Sequence, residues 1–238
     1  MRTYGQYCPI ARGSEVFAER WTPIILRNVL QGCRTFSEIA AGAPGLSRAL
    51  LTKRLHELEL AGIITREAKP DGHGWFYDPT PAGREIQPVL AALGLWADRW
   101  MEVAPEHSAP GVVLWSWCNN YLDPATVPHR RTVVRFEWRE SGRHRWSWLL
   151  IENGQAEICP FDPGFGDDLV VVIEDNLSFA RWHLGLDSWR SVLRSEGVRM
   201  TGPPHLRRAL PTWNRCPEVF AARRATRPPV GEPAQTVR

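Results

Sequence analysis

The sequence predicts a mixed α+β chain in two parts: a mainly helical winged helix-turn-helix, then an α+β domain with a curved sheet. Three observations lead there. Residues 35–81 spell helix, turn, helix and hairpin; residues 104–111 are polar and rich in Pro and Gly; and alternating strands with short helices begin at Thr132.

Each element of the first part has a local cause. Two helices are expected at Ile10–Ala18, after Pro9, and at Trp21–Leu30, where Pro23 is tolerated in the first turn and Gly32 follows the end. Phe36–Ala41 has the length of a short supporting helix, and Gly42-Ala43-Pro44-Gly45 breaks it. Ser47 stands where an N-cap belongs. From there Leu51, Leu55 and Leu58 recur at helical spacing, leaving Arg48, Ala49, Thr52, Lys53 and His56 to project away. Gly62 ends this helix. Ile63–Ala68 and Trp75–Asp78 read as two strands around Lys69-Pro-Asp-Gly-His-Gly74. A long helix is expected from Glu85 to Val103 with Leu90, Leu93, Trp96, Ala97 and Trp100 on one stripe. That stripe reads either as core or as a face buried against a second copy.

The domains read as 1–104, a linker at 105–111, an α+β domain at 112–213 and a basic tail at 214–238 expected to be disordered. Eight of the twelve tryptophans fall in the α+β domain. Thr132–Trp138 alternates, with Val134, Phe136 and Trp138 on one face. Arg145–Glu152 and Gln155–Cys159 flank Asn153-Gly154, a tight-hairpin signal. Asp168–Ile173 is a continuous apolar run that reads as a strand covered on both faces. Helices at Ser178–Leu184 and Ser188–Ser195, a strand at Val198–Thr201 and a helix at His205–Leu210 complete the domain.

The outward face of the second helix of the helix-turn-helix carries hydroxyl, lysine and arginine and no acid until Glu57. A helix of that width fits the DNA major groove, where such side chains meet base edges and phosphates. Net charge is only +3; residues 1–105 carry 12 Lys/Arg against 11 Asp/Glu. Affinity for a polyanion then has to come from local clustering and from two copies acting together. The seven histidines form no ligand cluster, Asp162, Asp167 and Asp168 fit no calcium loop, and no nucleophile elbow or phosphate-cradling loop is present. No enzyme, metal or cofactor is expected. Five cysteines without CxxC spacing, a polar N-terminus and no long apolar run point to a reduced, cytoplasmic protein without membrane contact.

Residues 7 to about 100 resemble the HxlR family of bacterial winged-helix regulators. The resemblance rests on Cys8-Pro9-Ile10, Arg20-Trp21-Thr22-Pro23-Ile24-Ile25-Leu26-Arg27, Arg34-Thr35-Phe36-Ser37-Glu38-Ile39, Leu51-Thr52-Lys53-Arg54-Leu55, Leu58 to Ile64 and Tyr77 to Gly83. It implies a homodimer assembled from N- and C-terminal helices on a dyad-symmetric operator in double-stranded DNA, acting as a repressor. Base contacts are expected from Arg48, Ala49, Thr52 and Lys53 beside Ser47, and phosphate contacts from Thr35, Arg54, Arg66, Lys69 and His73. It also draws attention to Cys8, which reads either as a redox sensor or as a small apolar residue at a dimer interface. Residues 131–213 are similar to the sterol-carrier-protein fold through the stretches 154–159, 168–173, 184–189 and 197–202. That similarity implies a hydrophobic small-molecule effector in a pocket near Trp138, Trp146, Trp148, Phe179, Trp182 and Trp189, although tryptophans on alternating strand positions also serve as ordinary core. The alternatives are a redox-sensing regulator with a purely structural second domain, or a lipid-carrying or interaction protein.

Overall fold

In the computed structural model, residues 3–123, 125–128, 130–140 and 142–215 are described. The tail expected beyond Arg215, with Cys216, lies outside them. The chain divides into two units, Met1–Trp100 and Met101–Arg238.

The first unit runs α1 (Pro9–Phe17), α2 (Thr22–Leu30), α3 (Phe36–Ala41), α4 (Arg48–Leu60), β1 (Ile64–Ala68), β2 (Trp75–Pro79), α5 (Pro81–Glu85) and α6 (Gln87–Trp100). Its core is Ile25, Leu26 and Val29 of α2, Ile39 of α3, Leu51, Leu55 and Leu58 of α4, and Ile64 and Tyr77 of the hairpin. The Leu51/Leu55/Leu58 stripe is buried as its spacing predicts, each side chain contributing about 1.5–3 kcal/mol. Asn28, fully buried, donates from Nδ2 to the Ile39 carbonyl at 2.9 Å and so ties α2 to α3. Trp21 enters α2 with φ 77°, a left-handed conformation that a bulky side chain adopts only where its surroundings hold it there.

The long helix expected from Glu85 to Val103 is α6, Gln87–Trp100, with Pro88 tolerated in its first turn, and a separate short helix, α5, precedes it. The short α5 is locked onto the hairpin. Thr80 Oγ1 accepts from the Gly83 N–H at 3.1 Å and donates to the Gly62 carbonyl at 2.7 Å. A Cβ at position 83 would sit 2.1 Å from the Ile63 carbonyl oxygen, so only glycine lets α5 come this close.

The second unit contains α7 (Pro110–Ser116), which runs on as a π-helical turn to Tyr121, then β3 (Thr132–Glu140), β4 (Arg143–Glu152), β5 (Gln155–Cys159), β6 (Leu169–Ile173), α8 (Asn176–His183), α9 (Trp189–Arg194), β7 (Val198–Thr201) and α10 (Pro204–Ala209). The sheet order is β5-β4-β3-β6-β7, with β3 parallel to β6 and every other pair antiparallel. Asn153 and Gly154 both take positive φ, 54° and 74°, making the predicted tight hairpin. The linker expected at 105–111 is partly helical: Pro105–His107 is a 3-10 turn and Pro110 opens α7. A proline there starts a helix rather than marking a loop. Val134, Phe136 and Trp138 share the buried face with Leu149, Ile151, Leu169, Val171 and Ile173. Strand β6 is not covered equally on both faces as expected; its burial alternates between full and partial.

His183, at the end of α8, is 3% exposed, and burial lowers its pKa to about 4. The folded chain holds it neutral down to about pH 4, whereas the unfolded chain protonates it below about 6.5. Its contribution is complete above pH 6.5 and declines as pH falls from 6.5 to 4, by about 1.4 kcal/mol per unit. Urea unfolding at pH 7 and pH 5 should therefore show a larger acid loss for wild type than for His183→Phe. Equal losses would exclude His183 as the source.

Candidate nucleic-acid interface

Helix α4 starts at Ser47, whose hydroxyl accepts from the Leu50 N–H at 3.3 Å. Gly45 takes φ 87° in the preceding turn, a left-handed geometry that glycine supplies without strain. The turn and cap orient α4 so that Leu51, Leu55 and Leu58 face inward and Arg48, Ala49, Thr52, Lys53 and His56 face solvent. Thr52, exposed, donates to the Arg48 carbonyl at 3.0 Å, and its oxygen can still accept. Lys53 is 65% exposed and only loosely paired, 3.9 Å from Glu57.

Arg54 departs from expectation. It was placed at a phosphate, but its side chain is 10% exposed and bridges two carboxylates, Glu19 at 2.6 Å and Glu57 at 2.5 Å. One residue beyond Lys53, a 100° turn of the helix carries it toward the α1–α2 junction instead of solvent. It holds α4 in place and is not available to a phosphate.

The remaining cations converge on the hairpin side. Arg34 forms a two-pronged pair with Asp78, at 2.7 and 2.6 Å, and lies 4.7 Å above the Phe76 ring. Lys69 lies 5.4 Å from the same ring. Arg66 is 4.3 Å above Trp75 and 3.3 Å from Glu59, and Arg48 is 5.0 Å above Phe36. Thr35 has its hydroxyl committed to the capping box with Glu38. His73 is exposed at the hairpin tip. Of the predicted set, Thr35, Arg48, Arg66 and Lys69 are drawn to the aromatic residues of α3 and the hairpin, while Arg54 is not. Arg34, Phe36, Trp75 and Phe76 belong with them, each aromatic face holding a cation against loss of side-chain freedom. For Trp75 the signal is its diagonal to Arg66 across the hairpin, visible only once the register is known.

The apolar stripe of α6 is open. Leu93, Trp96 and Trp100 of α6 are 44%, 55% and 58% exposed, and α1 buries no residue, with Ile10 80% exposed. Cys8 is half-buried at the N-cap of α1. The described cysteines are free thiols, and burial pushes up Cys33, Cys118 and Cys159, Cys118 to about 12. Such thiols are poor nucleophiles at neutral pH.

In the second unit Phe179, Trp182 and Trp189 come together. Trp182 lies 5.1 Å from Phe179 and 4.5 Å from Trp189. Trp117, which the sequence did not single out, packs against Phe136, Phe179 and Trp182. Trp138 shares their face of the sheet, but Trp146 and Trp148 pair with Glu137 and Arg135 and so point to the other one. Those two cannot line a pocket with the rest. Among the described residues no cluster of three His, Cys, Asp or Glu is placed to hold a metal.

Residues 16–105 match the HxlR-like helix-turn-helix family. The HTH-type transcriptional regulator YvaP of Bacillus subtilis is 33% identical over 99 residues, spanning 41% of this chain and 92% of that one. The chain belongs to the HxlR-like helix-turn-helix family. A second regulator of this type, sll1512 of Synechocystis, is 36% identical over 99 residues, 41% of this chain and 73% of its own. Among solved structures, quinone-bound YodB from Bacillus subtilis is similar at 29% identity with a TM-score of 0.35, over 39% of this chain and 99% of that chain. As an HxlR-type transcriptional regulator, the chain carries its family match in residues 16–105. Among the described residues no helix is long and apolar enough to cross a membrane.

Removing Arg54 should act through the fold. Arg54→Ala leaves Glu57 half-buried without its partner and should cost the first unit roughly 2–3 kcal/mol in urea unfolding, allowing for the exposure of Glu19. A variant that keeps wild-type stability while losing DNA affinity would restore Arg54 to the contact surface.

Proposed function

We propose that this HxlR-type regulator acts as a homodimeric repressor on a dyad-symmetric operator. Helix α4 enters the major groove and the β1–β2 hairpin lies on the flanking backbone. The observation that carries the reading is the exposed Arg48, Ala49, Thr52 and Lys53 row on a capped helix, continuous with cations held on aromatic faces beside it. Base contacts come from that row beside Ser47, and backbone contacts from Thr35, Arg34, Arg66, Lys69 and His73. Two copies pair through α1 and the open Leu93/Trp96/Trp100 face of α6, which supplies the second half-site.

Lys53→Ala and Lys69→Ala, tested by mobility shift on DNA selected from random sequence, should each weaken binding by about 1–3 kcal/mol with stability unchanged. Trp96→Glu should yield monomers in sedimentation and lose most operator affinity. Wild-type binding by both lysine variants would put the groove helix elsewhere.

The second domain, 112–213, has the strand order and the aromatic-lined inner face that support a sterol-carrier-like fold holding a hydrophobic effector. Trp117 and Trp138, buried in that aromatic face, favour a hydrophobic ligand. The ligand-facing set is then Trp138, Phe179, Trp182 and Trp189 with Trp117. An effector acts by binding the DNA-competent and incompetent states with different affinity. Oleate, as a probe, should raise the melting temperature, quench tryptophan fluorescence and change operator affinity; Trp182→Ala should abolish all three. No response to oleate or to a sterol would leave this domain a structural platform. The redox alternative rests on Cys8 at the α1 N-terminus, beside the proposed pairing helices. Equal operator affinity of wild type and Cys8→Ser after diamide treatment would dismiss it.

A further inference from the structure

Strand pairing sets one piece of the second unit apart. Strands β3 and β4 pair from Thr132 with Ile151 to Glu140 with Arg143. Their outer neighbours stop sooner: β6 runs beside Val134 to Trp138, and β5 beside Trp148 to Glu152. Residues 139–140 and 143–147 are therefore a two-stranded ribbon with no third strand on either side among the described residues. The stretch 139–147 reads Arg139-Glu140-Ser141-Gly142-Arg143-His144-Arg145-Trp146-Ser147, three arginines and a histidine against one glutamate. The arginines and the histidine are exposed. Trp146 is 46% exposed, its ring stacked on His144 with 6.1 Å between centroids and 19° between planes. Charges on a free strand are a common defence against edge pairing, which accounts for the arginines. It does not account for a large aromatic left in water beside them. The segregation is also regional: residues 152–175 hold seven carboxylates and no Lys or Arg.

We infer that this ribbon is a second contact of the regulator with duplex DNA. Arg139 and Arg143 take phosphates, and the His144–Trp146 stack lies against the sugar edge of the groove. A two-stranded ribbon is one of the two protein elements that the major groove admits. The inference rests on the DNA-binding reading of the first unit. A ribbon tethered to a helix already on DNA needs little affinity of its own, because tethering holds it at millimolar effective concentration. It also answers the weak charge of the first domain, adding cations that the helix-turn-helix lacks.

The test uses the full chain with Arg139→Gln/Arg143→Gln, titrated by fluorescence anisotropy onto a selected operator duplex from 50 to 300 mM NaCl. The slope of log affinity against log salt should fall by about two units per protomer, at about 0.9 per phosphate, and the protected footprint should shorten. Arg207→Gln/Arg208→Gln, an exposed pair elsewhere on the unit, should keep the wild-type slope. A wild-type slope and footprint for the ribbon variant overturns the inference, as does equal flattening by the control pair. Stronger binding of a single-stranded RNA of equal length would assign the ribbon to RNA and overturn it too. Lys53→Ala, measured alongside, reports on the groove helix alone. If it binds normally while the ribbon variant flattens the slope, the groove placement fails and the ribbon stands.

Discussion

The guanidinium of Arg54, held between Glu19 and Glu57, is the interaction on which the contact surface depends. Helix α4 has an inner face of leucines that sets its rotation and an outer face of small and cationic residues. Arg54 lies at the border between them, and a charged group with 10% exposure reinforces that rotation, because turning the helix would leave it without its carboxylates. Glu57 is thereby drawn inward, and its charge is spent on Arg54 more than on Lys53, whose ammonium stays 3.9 Å away. The same pair that steadies the helix also keeps its outer face positive.

The aromatic residues of the first unit do related work. Phe36, Trp75 and Phe76 each sit beneath a cation at about 4–5 Å. A guanidinium resting on a ring stays hydrated at its edges, so it loses less rotamer freedom when a phosphate arrives. In a unit whose acids and bases nearly cancel, such preparation matters more than charge count.

Much of this was legible in the sequence. The Leu51/Leu55/Leu58 period, the Ser47 cap and the Asn153-Gly154 hairpin are local signals, and each appears in the structure as read. What failed was proline and position. Pro110 opens a helix inside the stretch that its Pro and Gly content marks as linker. Arg54 could not be told from Lys53 by spacing, because its carboxylate Glu19 is 35 residues away and meets it only after folding. Trp146 and Trp148 were grouped with Trp138 by composition, whereas pairing register sends them to the opposite face. Long-range partners decide these cases, and period alone does not contain them.

The junction at Thr80 and Gly83 has a mechanical consequence. One hydroxyl bonded to two backbone groups and one absent methyl weld α5 to the end of the hairpin. The helix after it is not welded: the ladder is interrupted ahead of Pro88, at Ile86. Any side chain at position 83 would therefore push α5 off the Ile63 carbonyl and displace the start of α6 with it.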